Sequence, residues 1–162
     1  MDKVIINTTP WISLSILELT HTLPEIYSEI IMPVGVKEEI LFPDIKKIGI
    51  DELSKSNWLK IYNIKNCMIY SFAQDLDKGE LEVIISAKEL NMKNVMIDEK
   101  LGRLFAKNLS LNVIGTLGYL INLKNKKIIN KIKPLICILQ ENNIWISENI
   151  KNYILAIANE NQ

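Results

Sequence analysis

Histidine and cysteine, which serve most often in nucleophilic catalysis and in zinc sites, are nearly missing from this chain of 162 residues. The single histidine, His21, leaves Ser/His/Asp and Cys/His catalysis without support. The two cysteines, Cys67 and Cys137, are far apart in the sequence and match no metal-binding spacing. Catalysis or metal binding in this chain is therefore expected to depend on oxygen ligands.

Long apolar runs and a charge imbalance are also missing. No stretch approaches the roughly 18 apolar residues that span a membrane, and the N-terminus lacks the pattern of a signal peptide. Basic and acidic residues number 19 each, so the net charge of zero gives no global argument for nucleic-acid binding. These absences predict a cytoplasmic protein without a membrane partner, and the length suits a single domain over residues 1–162.

The segment from residue 76 to residue 120 is the most informative part of the chain, because it predicts a βαβ unit. A helix headed by an acid leads to a strand that ends just before Asp98, and a second helix and strand follow. In open α/β sheets, ligands bind outside the carboxyl ends of the strands. Asp98 is predicted to lie at such an end.

Three more polar side chains stand at a predicted strand end or on the apolar face of a helix. Asn7 follows the first strand and is left free if Thr9 caps the next helix. Glu39 falls beside an apolar stripe of the helix predicted from Val34 to Phe42, and Glu80 lies on the apolar face of a later helix. A carboxylate in such a place is costly unless something pairs with it.

Each of these side chains also has a simpler interpretation, which the sequence leaves open. Asn7 could be a turn residue that bonds its own backbone. Glu39 could lie on a solvated helix edge. Glu80 could form a capping box with Asp77, which stands three residues before it.

Other helical positions are assigned to the core or to solvent from their spacing. Glu82 and Glu38 are predicted to point away from the apolar faces, so replacement of either by glutamine is expected to be nearly neutral. On the second helix of the βαβ segment, Leu101 and Leu104 are predicted to pack in the core. A short final strand is predicted at 144–146.

Two groups of basic residues are candidates for contact with phosphate, although a solvated face is the usual explanation of such groups. One is a stripe on the helix that follows Asp98, and the other lies in a segment without acids that could be an electrostatic landing site for a polyanion. The residues are Lys100, Arg103 and Lys107 in the stripe and Lys124, Lys126 and Lys127 in the segment.

A parallel sheet could bring Asn7, Glu39, Glu80 and Asp98 together at one edge. Clustered carboxylates repel one another and raise each other's pKa unless cations neutralise them. An all-oxygen site suits Mg²⁺ or Mn²⁺. Such a site could activate water and stabilise the charge that builds up on a phosphodiester.

The sequence resembles the PIN-domain superfamily, and within it the VapC-like toxin nuclease group. Five motifs carry the resemblance, and in their order they cover nearly the whole chain. They are VIINTTPWISLS at 4–15, VKEEI at 36–40, LDKGELEVI at 76–84, VMIDEKLGRLFAKNL at 95–109 and VIGTLGYL at 113–120.

The resemblance implies a single PIN-like domain with three α/β/α layers, a central mostly parallel sheet and a metal-dependent RNA-cleaving site. The family's acidic positions fall on Asn7, Glu39, Glu80 and Asp98. Thr8 and Thr116 match hydroxyl positions near the metal. Most active relatives have aspartate in place of Asn7, and the difference removes one negative charge from the predicted site.

The leading hypothesis is an endoribonuclease of the toxin type that uses Mg²⁺ or Mn²⁺, has RNA as its substrate and has a cognate antitoxin protein as its partner. A homodimer is a further expectation. Glu39, Glu80 and Asp98 would hold the metal, Asn7 would supply a carbonyl oxygen or orient water, and basic residues would contact the RNA backbone. The alternative is a PIN-fold binding or regulatory module without cleavage. An unrelated α/β phosphohydrolase would need an aspartate nucleophile at position 7.

Overall fold

The structure is a computed structural model, and it describes residues 2–42, 47–65 and 76–160. Contact between Cα atoms divides the chain into two compact units, Met1–Ile114 and Gly115–Gln162. Within the described ranges, no helix is both long and apolar enough to cross a membrane. The weakly patterned segment 66–75, which includes Cys67, lies outside the described residues.

The first unit alternates strands and helices, as the sequence predicts. Its elements in chain order are β1 (Asp2–Ile6), α1 (Thr8–Ile16), α2 (Leu23–Ile26), β2 (Tyr27–Pro33), α3 (Val34–Leu41), α4 (Ile50–Lys55), β3 (Leu59–Tyr62), α5 (Lys78–Glu89), β4 (Asn94–Met96), α6 (Lys100–Asn108) and β5 (Asn112–Ile114).

These strands form one sheet in the order β3-β2-β1-β4-β5, and every neighbouring pair is parallel. β1 is central because its β-branched run Val4–Ile6 is fully buried between strands and helices. Helices flank the sheet, so the predicted α/β fold with a PIN-like α/β/α arrangement is confirmed. The chain crosses from β3 to the other side of β1 when it enters β4. The carboxyl ends of β1 and β4 therefore border the switch point where ligands bind in such sheets.

α5 is the most deeply buried helix of the first unit. It packs on β1, β2 and β4 and also against α3 and α6. Every residue from Gly79 to Ala87 is buried, including the two glutamates Glu80 and Glu82. The prediction that Glu82 points away from the packed face is therefore wrong, because α5 is covered on more than one side.

Three other local predictions are also wrong. The N-cap of α1 is Asn7 rather than Thr9. Leu101 and Leu104 on α6 are 46% and 55% exposed, because α6 packs through its small residues Gly102 and Ala106. Residues 144–146 form no strand, and Trp145 is 83% exposed.

The second unit is helical in its described part, 115–160. It consists of α7 (Thr116–Asn125), α8 (Lys133–Glu141) and α9 (Glu148–Ile157). Lys124 of α7 donates to the Ala158 carbonyl at 2.6 Å and forms an ion pair of 2.5 Å with Glu160. This contact joins the first and last segments of the unit.

Candidate active site

Asn7 lies at the carboxyl end of β1 and is only 2% exposed. Its backbone N–H donates to the Met96 carbonyl of β4 at 3.0 Å, which fixes it between the two strands. An N-cap asparagine usually accepts a hydrogen bond from its own helix, but the Asn7 side chain makes no such bond. Its Nδ2 instead donates to Glu99 Oε2 at 3.4 Å, and its buried Oδ1 has no hydrogen-bond partner. An unpartnered buried oxygen is uncommon, and a water molecule or an ion bound there would satisfy it.

Glu39 extends from α3 toward the residue that follows Asn7. The hydroxyl of Thr8, which is 6% exposed, donates to Glu39 Oε2. Burial raises the pKa of Glu39, the Thr8 hydrogen bond opposes that rise, and the charges of Asp77 and Glu99 add to it. Thr8 thus holds the Glu39 carboxylate in a place where negative charge is unfavourable.

Glu80 occupies the first turn of α5 and is 4% exposed. It forms a capping box with Asp77, since Glu80 N donates to Asp77 Oδ1 at 2.7 Å and Asp77 N donates to Glu80 Oε2 at 3.3 Å. The other carboxylate oxygen, Oε1, is buried without a hydrogen-bond partner and faces Gly102 of α6. The capping role that the sequence left open is therefore real, and it leaves one oxygen of Glu80 available.

Gly79 forms the point on which oxygens from three elements converge. A Cβ atom added there would lie 2.9 Å from Glu39 Oε2, 3.1 Å from Asn7 Oδ1 and 3.4 Å from Asp77 Oδ1. A larger residue at position 79 would occupy that space. The glycine in the LDKGE motif thus keeps open a small space lined by oxygen atoms.

The electrostatics of this cluster favour a bound cation. Burial is the main cause that raises the pKa of Glu80 to about 7, and the charges of Asp77 and Glu99 raise it further. The backbone N–H groups of Asp77 and Gly102 oppose this rise in the pKa of Glu80. The Gly102 N–H lies near the Glu80 carboxylate without forming a regular hydrogen bond to Oε1. In the described part of the chain, no lysine or arginine forms an ion pair with Glu39, Glu80, Asp77 or Glu99.

Asp77 and Glu99 belong to this cluster, although neither is a predicted site residue. Glu99 Oε1 accepts a hydrogen bond from Thr9, which explains why the Thr9 hydroxyl does not cap α1. The adjacent Asp98, predicted as a metal ligand, is half-buried directly after Ile97 and takes part in a polar interaction. The sequence signal for Glu99 was its position beside Asp98 at a strand end.

A family model described as a PIN domain matches residues 3–160 of the chain. The chain belongs to the PIN-domain family. PIN domains are generally metal-dependent nucleases, so membership indicates a nuclease-type enzyme. A search of curated proteins found no match to the chain.

The oxygen cluster of this PIN domain has the donor chemistry that a hard divalent cation prefers. The buried, unpartnered oxygens of Asn7 and Glu80 are the observations that fit such an ion. Across residues 2–42, 47–65 and 76–160, however, no group of three or more His, Cys, Asp or Glu side chains is already arranged to hold a metal. The oxygen atoms are thus of the type that such a cation prefers. Thr8 holds the Glu39 carboxylate, and the capping box holds Glu80.

Two basic residues predicted to contact substrate lie on α6 of the PIN domain. Lys100 is exposed at the first position of the helix. Arg103 is half-buried and donates through Nη1 to the Ile97 carbonyl at 3.0 Å, so it supports the end of β4. Lys100 is therefore the more exposed of the two basic side chains.

The remaining predicted residues belong to the second unit. Thr116 is buried at the first position of α7 and takes part in a polar interaction. Lys124 is half-buried in its ion pair with Glu160, whereas Lys126 and Lys127 are exposed. An electrostatic role is therefore better suited to Lys126 and Lys127 than to Lys124.

Proposed function

We propose that this PIN domain is an endoribonuclease that depends on Mg²⁺ or Mn²⁺ and acts as the toxin of a toxin–antitoxin pair. The observation that carries the proposal is the convergence of Asn7, Glu39 and Asp77 oxygens at Gly79, beside the buried carboxylate of Glu80. This arrangement holds like charges together without a basic partner, which is costly unless a cation binds.

Glu39, Glu80 and Asp98 would hold the ion, and Asn7 would add its carbonyl oxygen. When bound, the ion would activate water and stabilise the charge that develops on a phosphodiester. Thr8 would keep the Glu39 carboxylate oriented, and Asp77 would keep Glu80 in place through the capping box. The family resemblance supports Thr116 as a hydroxyl that contacts RNA.

RNA contact outside the oxygen cluster would come from exposed basic residues. Lys100, Lys126 and Lys127 are exposed, so they would bind the backbone electrostatically. Arg103 would contribute mainly by holding the end of β4, and Lys124 would contribute through its ion pair. An antitoxin protein is the proposed partner, and a homodimer is the proposed assembly.

A PIN-fold binding or regulatory module without cleavage is the second candidate. Two observations favour it. Asparagine occupies position 7, which lowers the negative charge of the cluster, and the described residues contain no preformed group of three metal-binding side chains. In this alternative, RNA or a protein would bind without phosphodiester hydrolysis.

Cleavage of RNA with Mn²⁺, with and without a chelator, separates the two functions. The nuclease proposal expects cleavage that the chelator stops and that Glu80→Gln and Asp98→Asn each abolish. Glu80→Gln keeps the capping box, because glutamine also serves at that position. Glu38→Gln is the matched control, since Glu38 is exposed and forms a surface ion pair of 3.2 Å with Lys78. Full activity in both site variants would refute the nuclease, while RNA binding without cleavage in the wild type would favour the binding module.

A further inference from the structure

The helix that carries Glu39 begins without a cap of its own. The N-cap of α3 is Pro33, whose side chain makes no capping hydrogen bond. The first N–H groups of a helix have no partner within the helix, and they need an acceptor when they are buried. Gly35, at the second position of α3, is buried and therefore needs an acceptor from elsewhere in the fold.

Glu82 of α5 supplies this acceptor. The backbone N–H of Gly35 donates to Glu82 Oε2 at 2.7 Å. Glu82 is 4% exposed, and it forms a long ion pair of 3.9 Å with Lys78 Nζ. A carboxylate at a helix N-terminus is stabilised by the N–H groups and by the helix dipole. The buried charge of Glu82 is thus accommodated by α3 rather than by solvent.

Glycine at position 35 is what allows this approach. A Cβ atom added there would lie 2.5 Å from the Glu82 carboxyl carbon and 2.5 Å from Oε1. Real Cβ atoms do not come so close to another atom, and Glu82 has little freedom to move because its own carboxylate bonds the Gly35 backbone. The α3–α5 contact is therefore fixed at one point by a residue pair.

We propose that Glu82 is a positioning residue that sets Glu39 relative to Gly79. Glu82 and Gly79 are on α5, while Gly35 and Glu39 are one turn apart on α3. The bond between the two helices therefore acts together with the Thr8 hydrogen bond to position Glu39 Oε2. That oxygen is 2.9 Å from the Cβ position of Gly79. This proposal rests on the proposed function only in that Glu39 is taken as a metal ligand.

Two substitutions at position 82 distinguish the loss of the hydrogen-bond acceptor from a change in side-chain volume. Glu82→Gln keeps an oxygen that can accept from Gly35, whereas Glu82→Met fills the same space without an acceptor. Ile26→Ala, in α2, is a control for general destabilisation, because Ile26 is buried and α2 packs chiefly on β2 and the adjoining turn Thr20–Thr22. All variants are compared at temperatures where they are folded.

The first measurement needs neither metal nor RNA. The amide exchange of Gly35 and the carboxyl ¹³C chemical shift of Glu39 are recorded by NMR in the metal-free protein. Glu82→Met is expected to speed exchange at Gly35 and to move the Glu39 signal, while Glu82→Gln and Ile26→Ala leave the Glu39 signal near its wild-type position. An unchanged Glu39 signal in Glu82→Met would overturn the proposal, whatever the protein does to RNA.

The second measurement is a calorimetric titration with Mn²⁺. Loss of a group that orients a metal ligand typically weakens metal affinity about 10-fold to 100-fold, and we expect about 10-fold for Glu82→Met. Glu82→Gln should retain most of the wild-type affinity for Mn²⁺. In a Glu39→Gln background, Glu82→Met should have little further effect, because its action passes through Glu39. An equal loss of Mn²⁺ affinity in both backgrounds would overturn positioning through Glu39. Absence of Mn²⁺ binding in the wild type would count against the proposed function. In that case the NMR measurement still decides the role of Glu82.

Discussion

α5 and α6 are neighbours in the chain and in the fold, yet they differ in which side chains they bury. α5 buries two glutamates, and α6 leaves two leucines largely exposed. The difference follows from position: α5 packs on three strands and between α3 and α6, whereas the main contacts of α6 are with β5 and α5. A helix covered on several sides buries whatever its sequence places there, so its buried glutamates need hydrogen-bond donors from the elements that cover it.

The largest expected effect on stability tests this contrast directly. Ile84→Ala on α5 should lower the free energy of unfolding by about 2–5 kcal/mol, because it leaves a cavity in a packed core. Leu104→Ala on α6 should lower it by less than about 1 kcal/mol, since the side chain is already half in solvent. Urea unfolding monitored by circular dichroism measures both values. Equal losses would mean that α6 buries Leu104 in solution.

The next effect concerns the charge of Glu80 in metal-free protein. Burial raises its folded pKa to about 7 from an ordinary value of 4.5, so the folded protein holds this proton more tightly than the unfolded chain does. The contribution of Glu80 is therefore most favourable below about pH 4.5 and declines as the pH rises toward about 7. The raised pKa of Glu39 acts in the same direction.

Unfolding free energies measured with chelator from about pH 5 to about pH 8 test this dependence. Glu80→Gln should flatten the decline, because glutamine keeps the capping box without the charge. Glu38→Gln, at an exposed position on α3, should leave the decline unchanged. An identical pH profile in wild type and Glu80→Gln would show that the Glu80 pKa is not raised.

A smaller effect is expected from a charge added next to α5. Asn7→Asp should tighten Mn²⁺ binding by about tenfold or less, equivalent to about 1.4 kcal/mol, because a carboxylate attracts the ion more strongly than an amide does. Without metal, the same change should destabilise the protein, since Asn7 Nδ2 now donates to Glu99 and a carboxylate would repel it. Calorimetric titration and thermal unfolding measure the two effects. Equal or weaker affinity for Mn²⁺ would place Asn7 away from the metal.

The smallest effect lies on the exposed side of α6. Lys100→Gln should reduce the slope of log affinity for single-stranded RNA against log salt by about 0.7, the amount for one lost phosphate contact. Lys55→Gln, an exposed lysine of α4, is the matched control. Filter binding at several salt concentrations measures the slope, and an unchanged slope for Lys100→Gln would assign Lys100 to a solvated face.

The sequence predicted those features that depend on local periodicity and turn chemistry. β1, α3, α5 and the capping box of Asp77 and Glu80 follow from patterns within a few residues, and the structure has them where they were expected. The prediction that Asn7 directly follows β1 is also confirmed. Its place at the edge of the sheet follows because parallel strands present their carboxyl ends at one edge.

The remaining features depend on partners that are distant in sequence. Thr9 was expected to cap α1, but its hydroxyl bonds Glu99, 90 residues away. Glu82 was assigned to solvent because one apolar face was assumed for α5, whereas α3 covers the opposite face and presents Gly35 to it. Periodicity identifies a helix and one of its faces, but it does not reveal how many other elements will pack against it.

The two glycines that face α5 have a consequence for variation of this chain. Gly35 lies against Glu82, and Gly102 lies against Glu80, with no room for a Cβ atom at either glycine while the glutamate is present. A larger residue at either glycine therefore requires the facing glutamate carboxylate to move. A library that varies positions 35 and 82 together should recover folded pairs in which a larger residue on α3 accompanies a shorter one on α5, and the same should hold for positions 102 and 80. In the α3–α5 and α5–α6 contacts, the size of one residue thus limits the size of the residue that faces it.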